Sequence, residues 1–459
     1  MNIHTVKSAM SLVLAVVLFA AVSACATHHE AGATDNTSDI LLSSKDIAEL
    51  EQRTSEYIFQ FKNGNFDDFY NECDAQLRQV ITESALKSGW DTIVQVTGTP
   101  SENVSTTYTR QNGLSVVGQT IEATLYKIRV TITYNADGKP VGIWTTYLPK
   151  DPPKPQSTSA WQEFPLTVGE KHLPGMLTLP KGLHKPPVVI MIQGSGPSDM
   201  NESVGAAPNR PFEDIAHGLA EGGVATLRYN KRTYQYPFVE GDTIQYEVLD
   251  DAAAAVALLS NDSRVDASRI YILGHSLGGM LAPKIAADNP KIKGFISMAG
   301  TLRPLQHLVL DQSKAALDAD TSLTEDQRSA SLGQIKSTAA KVAILDDGGT
   351  GFIFGIPTNY WKSLNAIDSV AIVKKLSIPM LILQGGTDFQ VYPDKDYTLW
   401  QTTLKGRNNV TFHLYGGLSH QFMSHQFSAS GAPDISVYDA PNHVSSQVIS
   451  DIAAWVRAQ

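Results

Sequence analysis

The chain has 459 residues, 42% of them hydrophobic and 18% charged, which suits an ordinary globular protein long enough for two domains plus appendages. Its formal net charge is -10, and no basic run or stripe of basic and aromatic residues occurs, so nucleic acid is excluded as the expected partner. Solubility is the plain meaning of the mild acidity.

Residues 1–7 carry a single lysine, residues 10–21 form a short apolar run, and Val22-Ser23-Ala24-Cys25 closes it with small residues before a cysteine. The run is too short for a spanning helix and fits a signal peptide over 1–24. Its close resembles a bacterial lipobox, in which Cys25 becomes the lipidated first residue; plain secretion is the alternative. The resemblance implies export and a lipid anchor in the bacterial cell envelope. Ala26, where aspartate would retain such proteins, points by analogy with Gram-negative sorting to the outer membrane. Small, polar residues over 25–42 read as a flexible tether. With only two cysteines in the chain and Cys25 acylated, Cys73 has no partner, so no disulfide is expected. No His or Cys set has metal-ligand spacing, and no metal or organic cofactor is expected. The sequence leaves the oligomeric state open.

Residues 43–150 read as a small α+β domain. Helical patterns cover 44–63 and 66–87, and strand-like runs follow around 92–96, 105–108 and 121–134. The first helix should stop at Phe61-Lys62-Asn63, before Gly64. Phe66, Tyr70, Leu77, Val80 and Trp90 look like core. The Gly64-Asn65-Phe66 break and Trp90 resemble the small cone-shaped domains that precede some bacterial hydrolases. No catalytic constellation falls here, which leaves docking or substrate shielding as the expected role.

Residues 151–157, Asp-Pro-Pro-Lys-Pro-Gln-Ser, read as a stiff linker. From 158 to 459, strand and helix patterns alternate as a doubly wound, mostly parallel α/β sheet requires. The first informative stretch is 186–197, a buried strand opening into Gln193-Gly194-Ser195-Gly196-Pro197; a plain glycine turn would read the same way. A strand over 224–229 and a helix over 247–260 follow. Residues 269–280 are a β-branched strand ending in Gly274-His275-Ser276-Leu277-Gly278 and passing straight into a helix-forming stretch. By chance G-x-S-x-G appears in about one chain in six of this length, so context decides. A strand before and a helix after are what a nucleophile elbow demands, because a serine hydroxyl is a poor nucleophile until it is lifted clear of the chain and set against a base. After a strand over 294–298, helical patterns at 305–317, 325–345 and 360–369 interrupt the alternation. This insert, about 301–376, is placed to form a lid or is structural padding. Its Leu308, Leu310, Phe352, Phe354 and Trp361 either line an acyl pocket or pack the insert onto the sheet. Residues 378–387 form another strand and turn that deliver Asp388 at a carboxyl end, where open α/β sheets keep their sites. Asp388 serves as the acid of a triad or merely caps the turn. Strand 410–415 and the loop Gly416-Gly417-Leu418-Ser419 lead to His420, the base candidate. His425 ranks next, ahead of His413 inside the strand and His443 in a later loop. A closing helix spans 446–458.

In this reading Asp388 holds the His420 ring in one tautomer, His420 takes the Ser276 proton and returns it to the leaving group, and Ser276 carries the acyl group. The main-chain N–H groups of Ser195 and Leu277 would receive the oxygen that gains charge.

From about residue 161 to 458 the chain resembles the serine-dependent α/β-hydrolases, especially the bacterial esterase-like branch grouped with dienelactone hydrolases, acyl-CoA thioesterases and serine aminopeptidase-like hydrolases. The resemblance is carried by residues 193–197, Leu227-Arg228-Tyr229-Asn230-Lys231-Arg232-Thr233, residues 274–279, Asp388 and His420. Such sequences often read H-G-S-G-P and R-Y-D-K-R, where this chain has Gln193 and Asn230. The departures spare the triad and bear on how the oxyanion loop is braced. The resemblance implies hydrolysis of a small-molecule carboxylic ester through an acyl-enzyme, with acyl-CoA thioester or peptide cleavage, and a catalytically silent binding lipoprotein, as rival readings.

Overall fold

The computed structural model describes residues 43–346, 350–424 and 435–459. The signal segment, Cys25, the tether and His425 lie outside them. Two compact units part between Lys150 and Asp151.

In the smaller unit Ser43 caps the helix Ser44–Lys62 in a reciprocal box with Asp46, and the helix ends at Asn63 and Gly64 as its residues dictate. The helix expected over 66–87 is broken into Asp67–Glu72, Ala75–Val80 and Glu83–Thr97. The cause is local: Asp74 and Thr82 each accept a backbone N–H and start a new helix. The strand expected over 92–96 lies inside the last of these helices. Trp90, Ile93 and Thr97 share its buried face, so helical spacing outweighs the β-branched run Thr92-Ile93-Val94. Strands β1 (Pro100–Gln111), β2 (Leu114–Ala123), β3 (Lys127–Tyr134) and β4 (Pro140–Leu148) form an antiparallel meander in chain order. The single run expected over 121–134 is thus the end of β2, a short turn and the whole of β3. Ile128, Val130, Ile132 and Tyr134 alternate inward from β3 and pack with Phe61, Phe66 and Trp90. Val80 is 60% exposed and no part of this core, because Leu77 is the residue its short helix buries. Tyr70 is only half buried. Cys73 is buried there as a free thiol.

The larger unit holds β5 (Trp161–Val168), β6 (Leu173–Pro180), β7 (Val188–Ile192), β8 (Ala225–Tyr229), β9 (Ile270–His275) and β10 (Ile292–Met298); a two-stranded ribbon of β11 (Phe352–Ile353) and β12 (Ile356–Pro357); then β13 (Met380–Gly385) and β14 (Val410–Tyr415). Eight of them make one sheet in the order β14-β13-β10-β9-β7-β8-β6-β5. It is parallel except where β6 pairs with β5 and β8. Helices Pro211–Glu221 and Ser446–Ala458 cover one face, and Asp250–Ser260 and Leu277–Asp288 the other. The apolar run of β7 follows from this: Val188, Ile190 and Ile192 enter one core and Val189 and Met191 the opposite one, so no position of that strand meets water. The end of the expected linker is not free. Gln156 O accepts from Glu163 N of β5 at 2.9 Å, and its own N–H donates to the Glu163 carboxylate at 2.8 Å.

The insert forms helices Leu305–Ala319, Glu325–Ala343, Thr358–Asn365 and Ser369–Lys375, so the expected helix at 360–369 is two. Asp368 caps the second of them, its Oδ1 accepting from Ala371 N. The insert is anchored. Trp361 is fully buried in the main core and donates Nε1–H to Ile353 O at 2.8 Å, and at its root Arg303 forks onto Asp396 at 2.7 and 2.8 Å. Leu308 is buried too, whereas Phe352 is 51% exposed.

Candidate active site

The chain leaves β7 toward β8 and leaves β9 toward β10, so the adjacent carboxyl ends of β7 and β9 flank the switch point of the sheet, where open α/β folds place their sites. The loop after β7 and the elbow after β9 meet there.

Ser276 sits between β9 and the helix Leu277–Asp288 with φ 52 and ψ -113, a conformation L-residues avoid and one that costs about 1–3 kcal/mol when held in place. The surroundings hold it: Ser276 N–H donates to Met298 O at 2.8 Å and its carbonyl accepts from Met280 N at 2.9 Å. The glycines are obligatory. A β-carbon on Gly274 would fall 2.1 Å from Gly278 O, and one on Gly278 2.2 Å from Ile192 O. Leu277 is the first residue of its helix, so its N–H has no acceptor within that helix and points out at the N-terminal end.

Asp388 and His420 are brought together from the ends of β13 and β14. The His420 Nδ1 lies 2.8 Å from Asp388 Oδ2, with both side chains buried. Gln384 Nε2–H donates to the same oxygen at 2.9 Å. Asp388 Oδ1 accepts from the N–H of Gln390 and Val391 at 2.8 and 2.9 Å. One Asp388 oxygen thus caps the turn while the other faces the imidazole. The approach of the two loops requires Gly385, whose β-carbon would stand 2.3 Å from Ser419 O. His413 is half buried on β14 with its ring against Tyr415, and exposed His443 is tied to Asp214 at 3.0 Å. Neither reaches Asp388.

The loop from Gln193 to Ser203 is braced by β8 and the residues just past it. Gln193 Nε2–H donates to Tyr229 O. Arg228 Nη1–H donates to Asn201 Oδ1 at 2.7 Å, Asn230 Oδ1 accepts from Met200 N at 2.8 Å, and Lys231 Nζ–H donates to Gly194 O at 2.7 Å. The amides that replace histidine and aspartate of the commoner motifs thus still bond the loop. Arg228 and Arg232 are themselves fixed, on Glu163 and Asp251. Ser195 follows the clamped Gly194; a β-carbon on Gly194 would stand 3.2 Å from Ser276 Cβ.

Two site residues escape sequence reasoning. His275 is buried inside the elbow, its Nδ1 3.0 Å from Glu202 Oε1 and its Nε2 3.0 Å from His420 O, with the two imidazoles 4.6 Å apart. Burial favours the neutral ring, but the Glu202 carboxylate, helped by the His420 carbonyl and the Asp388 charge, raises its pKa above the ordinary imidazole value. Both ring nitrogens face acceptors, which only an imidazolium satisfies. Glu202, at φ 54, also accepts Gly194 N–H at 2.6 Å, so one carboxylate ties the β7 loop to the elbow, and through His275 to the His420 loop. The one signal that could have found His275 is its place within G-x-S-x-G; nothing local marks Glu202, eight residues beyond Gly194.

The model of the family described as Hydrolase_4, serine aminopeptidase S33, matches residues 212–426. The chain is 32% identical over 418 residues to esterase EstD of Thermotoga maritima, covering 89% of this chain and 95% of that one. Among solved structures it is similar to Est1E from Butyrivibrio proteoclasticus, with 19% identity, TM-score 0.40 and coverage of 64% and 99%. It is similar also to the esterase domain of a Rhodothermus marinus protein, with 16% identity, TM-score 0.38 and coverage of 65% and 98%.

Proposed function

We propose that this chain, which belongs to the serine-dependent α/β-hydrolase family of esterases, hydrolyses small carboxylic esters through an acyl-enzyme on Ser276. The observation that carries the mechanism is the 2.8 Å contact of His420 Nδ1 with Asp388 Oδ2, on a loop tied through His420 O to His275, the residue before the positive-φ Ser276. With Nδ1–H committed to Asp388, Nε2 is left as the base. It takes the Ser276 proton as Oγ bonds to the ester carbon, and the carbonyl electron pair moves onto oxygen, which the N–H groups of Ser195 and Leu277 receive. Collapse breaks the bond to the alcohol oxygen, which leaves with that proton. Water then repeats the sequence on the acyl-enzyme and releases the acid. The matched family description favours a serine peptidase as the second reading. Rates of the purified enzyme on matched p-nitrophenyl esters, acyl-CoA thioesters and aminoacyl anilides test the choice; turnover of the anilides or thioesters alone would refute the esterase.

The acyl groups are short to medium. Buried Trp361 and Leu308 pack the insert onto the core and Arg303 pins it to Asp396, which supports a site bounded by fixed walls rather than one that opens for long chains. Rates on p-nitrophenyl esters should therefore peak at short acyl chains and fall with length. A steady climb to long chains is the result that speaks against this.

The enzyme is exported and held in the cell envelope by lipid on Cys25. The sequence of residues 10–25 supports this, and among the described residues no helix is long and apolar enough to cross a membrane. Cys25→Ala should leave the membrane fraction and keep its hydrolytic rate, because stable anchoring here needs acyl chains and catalysis does not. An unmodified Cys25 by mass spectrometry, or retention of residues 1–24, would sink the claim.

A further inference from the structure

Lys231 is a buried cation that the mechanism above leaves unused. Its Nζ lies 2.7 Å from Gly194 O and 3.3 Å from Glu247 Oε1. Glu247 is buried as well; Thr233 Oγ1 donates to the same Oε1 at 2.7 Å, and on the other side Tyr360 OH donates to Oε2 at 2.7 Å. Burying an ammonium and a carboxylate is costly even when they pair. Nothing in the packing of β8 calls for that pair. It ends on a single carbonyl of the loop after β7.

That carbonyl belongs to the peptide that joins Gly194 to Ser195. The unit is planar and trans, so Gly194 C=O and Ser195 N–H point in opposite directions. Whatever holds the oxygen aims the N–H. Gly194 has no side chain to hinder rotation of this peptide, and the next residue, Gly196, sits at φ 81, so the segment itself does little to fix the plane. On the other side, Glu202 takes Gly194 N–H and fixes the preceding peptide. We propose that Lys231, backed by Glu247, is a positioning residue for the oxyanion hole: its hydrogen bond to Gly194 O keeps Ser195 N–H aimed at the place where the substrate oxygen gains charge. The ammonium also draws electron density toward Gly194 O, making Ser195 N–H a stronger donor. Through Tyr360 the same carboxylate is bonded to the insert, so the insert and the Gly194–Ser195 peptide share one anchor.

This rests on the reading of Ser195 as an oxyanion donor and of Ser276 as nucleophile. The test compares Lys231→Met with the wild-type enzyme in single-turnover release of p-nitrophenol from p-nitrophenyl acetate. Acylation at saturating ester should fall roughly 10²-fold, the lower end of what loss of one oxyanion donor does. The ester concentration for half-maximal acylation should stay within about two-fold, because the interaction matters only once charge develops. Affinity for an acyl trifluoromethyl ketone, which places an oxyanion in the same hole, should fall by the same factor as acylation. A structural role alone would not make those two move together. If Lys231→Met does not fold, Glu247→Gln, which keeps its size and its acceptor for Tyr360, should lower acylation by about ten-fold, again with half-saturation unchanged. Undiminished acylation in a folded Lys231→Met, or in a folded Glu247→Gln, overturns the inference. So does a loss that appears in half-saturation instead. Ser276→Ala separates the two levels: turnover surviving there overturns the active-site reading and this inference with it, whereas a dead Ser276→Ala beside an undiminished Lys231→Met overturns the inference alone.

Discussion

Ser276→Ala and His420→Ala should each lower ester turnover by roughly 10⁴-fold or more, with little further loss when combined, since members of a triad act as one unit. The two substitutions remove opposite ends of the same proton transfer. Without Oγ there is no acyl-enzyme; without the imidazole, Oγ stays a hydroxyl whose proton has nowhere to go. The fold should survive both. Alanine at position 276 meets the same positive-φ strain as serine and leaves the Met298 and Met280 backbone bonds in place. In His420→Ala, Gln384 and the N–H groups of Gln390 and Val391 still satisfy Asp388. The measurement is kcat on p-nitrophenyl acetate together with the thermal midpoint. Labelling by a fluorophosphonate should vanish in Ser276→Ala, and its presence in the unmutated protein separates an enzyme from a silent binding module. Retention of activity by His420→Ala, with loss in His425→Ala, would move the base to the other histidine.

What the sequence disclosed tracks how local the cause is. The elbow is legible because strand, strained serine and helix are adjacent in the chain and the two glycines are demanded by contacts within six residues or by the neighbouring strand. Asp388 and His420 are legible as residues delivered at strand ends. The closing helix Ser446–Ala458 also falls where its spacing puts it. Where reading failed, the deciding fact lay elsewhere. Thr92-Ile93-Val94 looks like strand until the burial of Trp90 and Thr97 fixes the period. The helix at 66–87 looks continuous until Asp74 and Thr82 are seen capping rather than riding along. Glu202 and Glu247 acquire meaning only through partners far along the chain, His275 and Tyr360, and nothing near them in sequence announces that. The Gln193 and Asn230 departures show the reverse: two changes that looked as though they loosen the loop still bond to Tyr229 O and Met200 N.

The sharpest test of how Asp388 works is Asp388→Asn, which should cost about 10⁴-fold in kcat at neutral pH while lowering the thermal midpoint only modestly, since its NH2 would face Gln384 Nε2–H in place of an acceptor. The four donors around the carboxylate explain why so small a change matters. Oδ1 faces two backbone N–H groups and Oδ2 faces Gln384 Nε2–H and His420 Nδ1. An amide has one acceptor end and one donor end. If its oxygen stays with Gln390 and Val391, as the turn demands, its NH2 points at His420 and can be satisfied only by an imidazole that accepts at Nδ1 and carries its proton on Nε2. That tautomer cannot take the Ser276 proton. The opposite orientation sets NH2 against two backbone N–H groups and breaks the turn, which is the dearer error, because neither donor has another acceptor at hand. The negative charge that stabilises the imidazolium is lost in both cases. Retention of kcat within about ten-fold would reduce Asp388 to its capping oxygen, and the partner of His420 would then have to be sought among the other carboxylates of the site, Glu202 first.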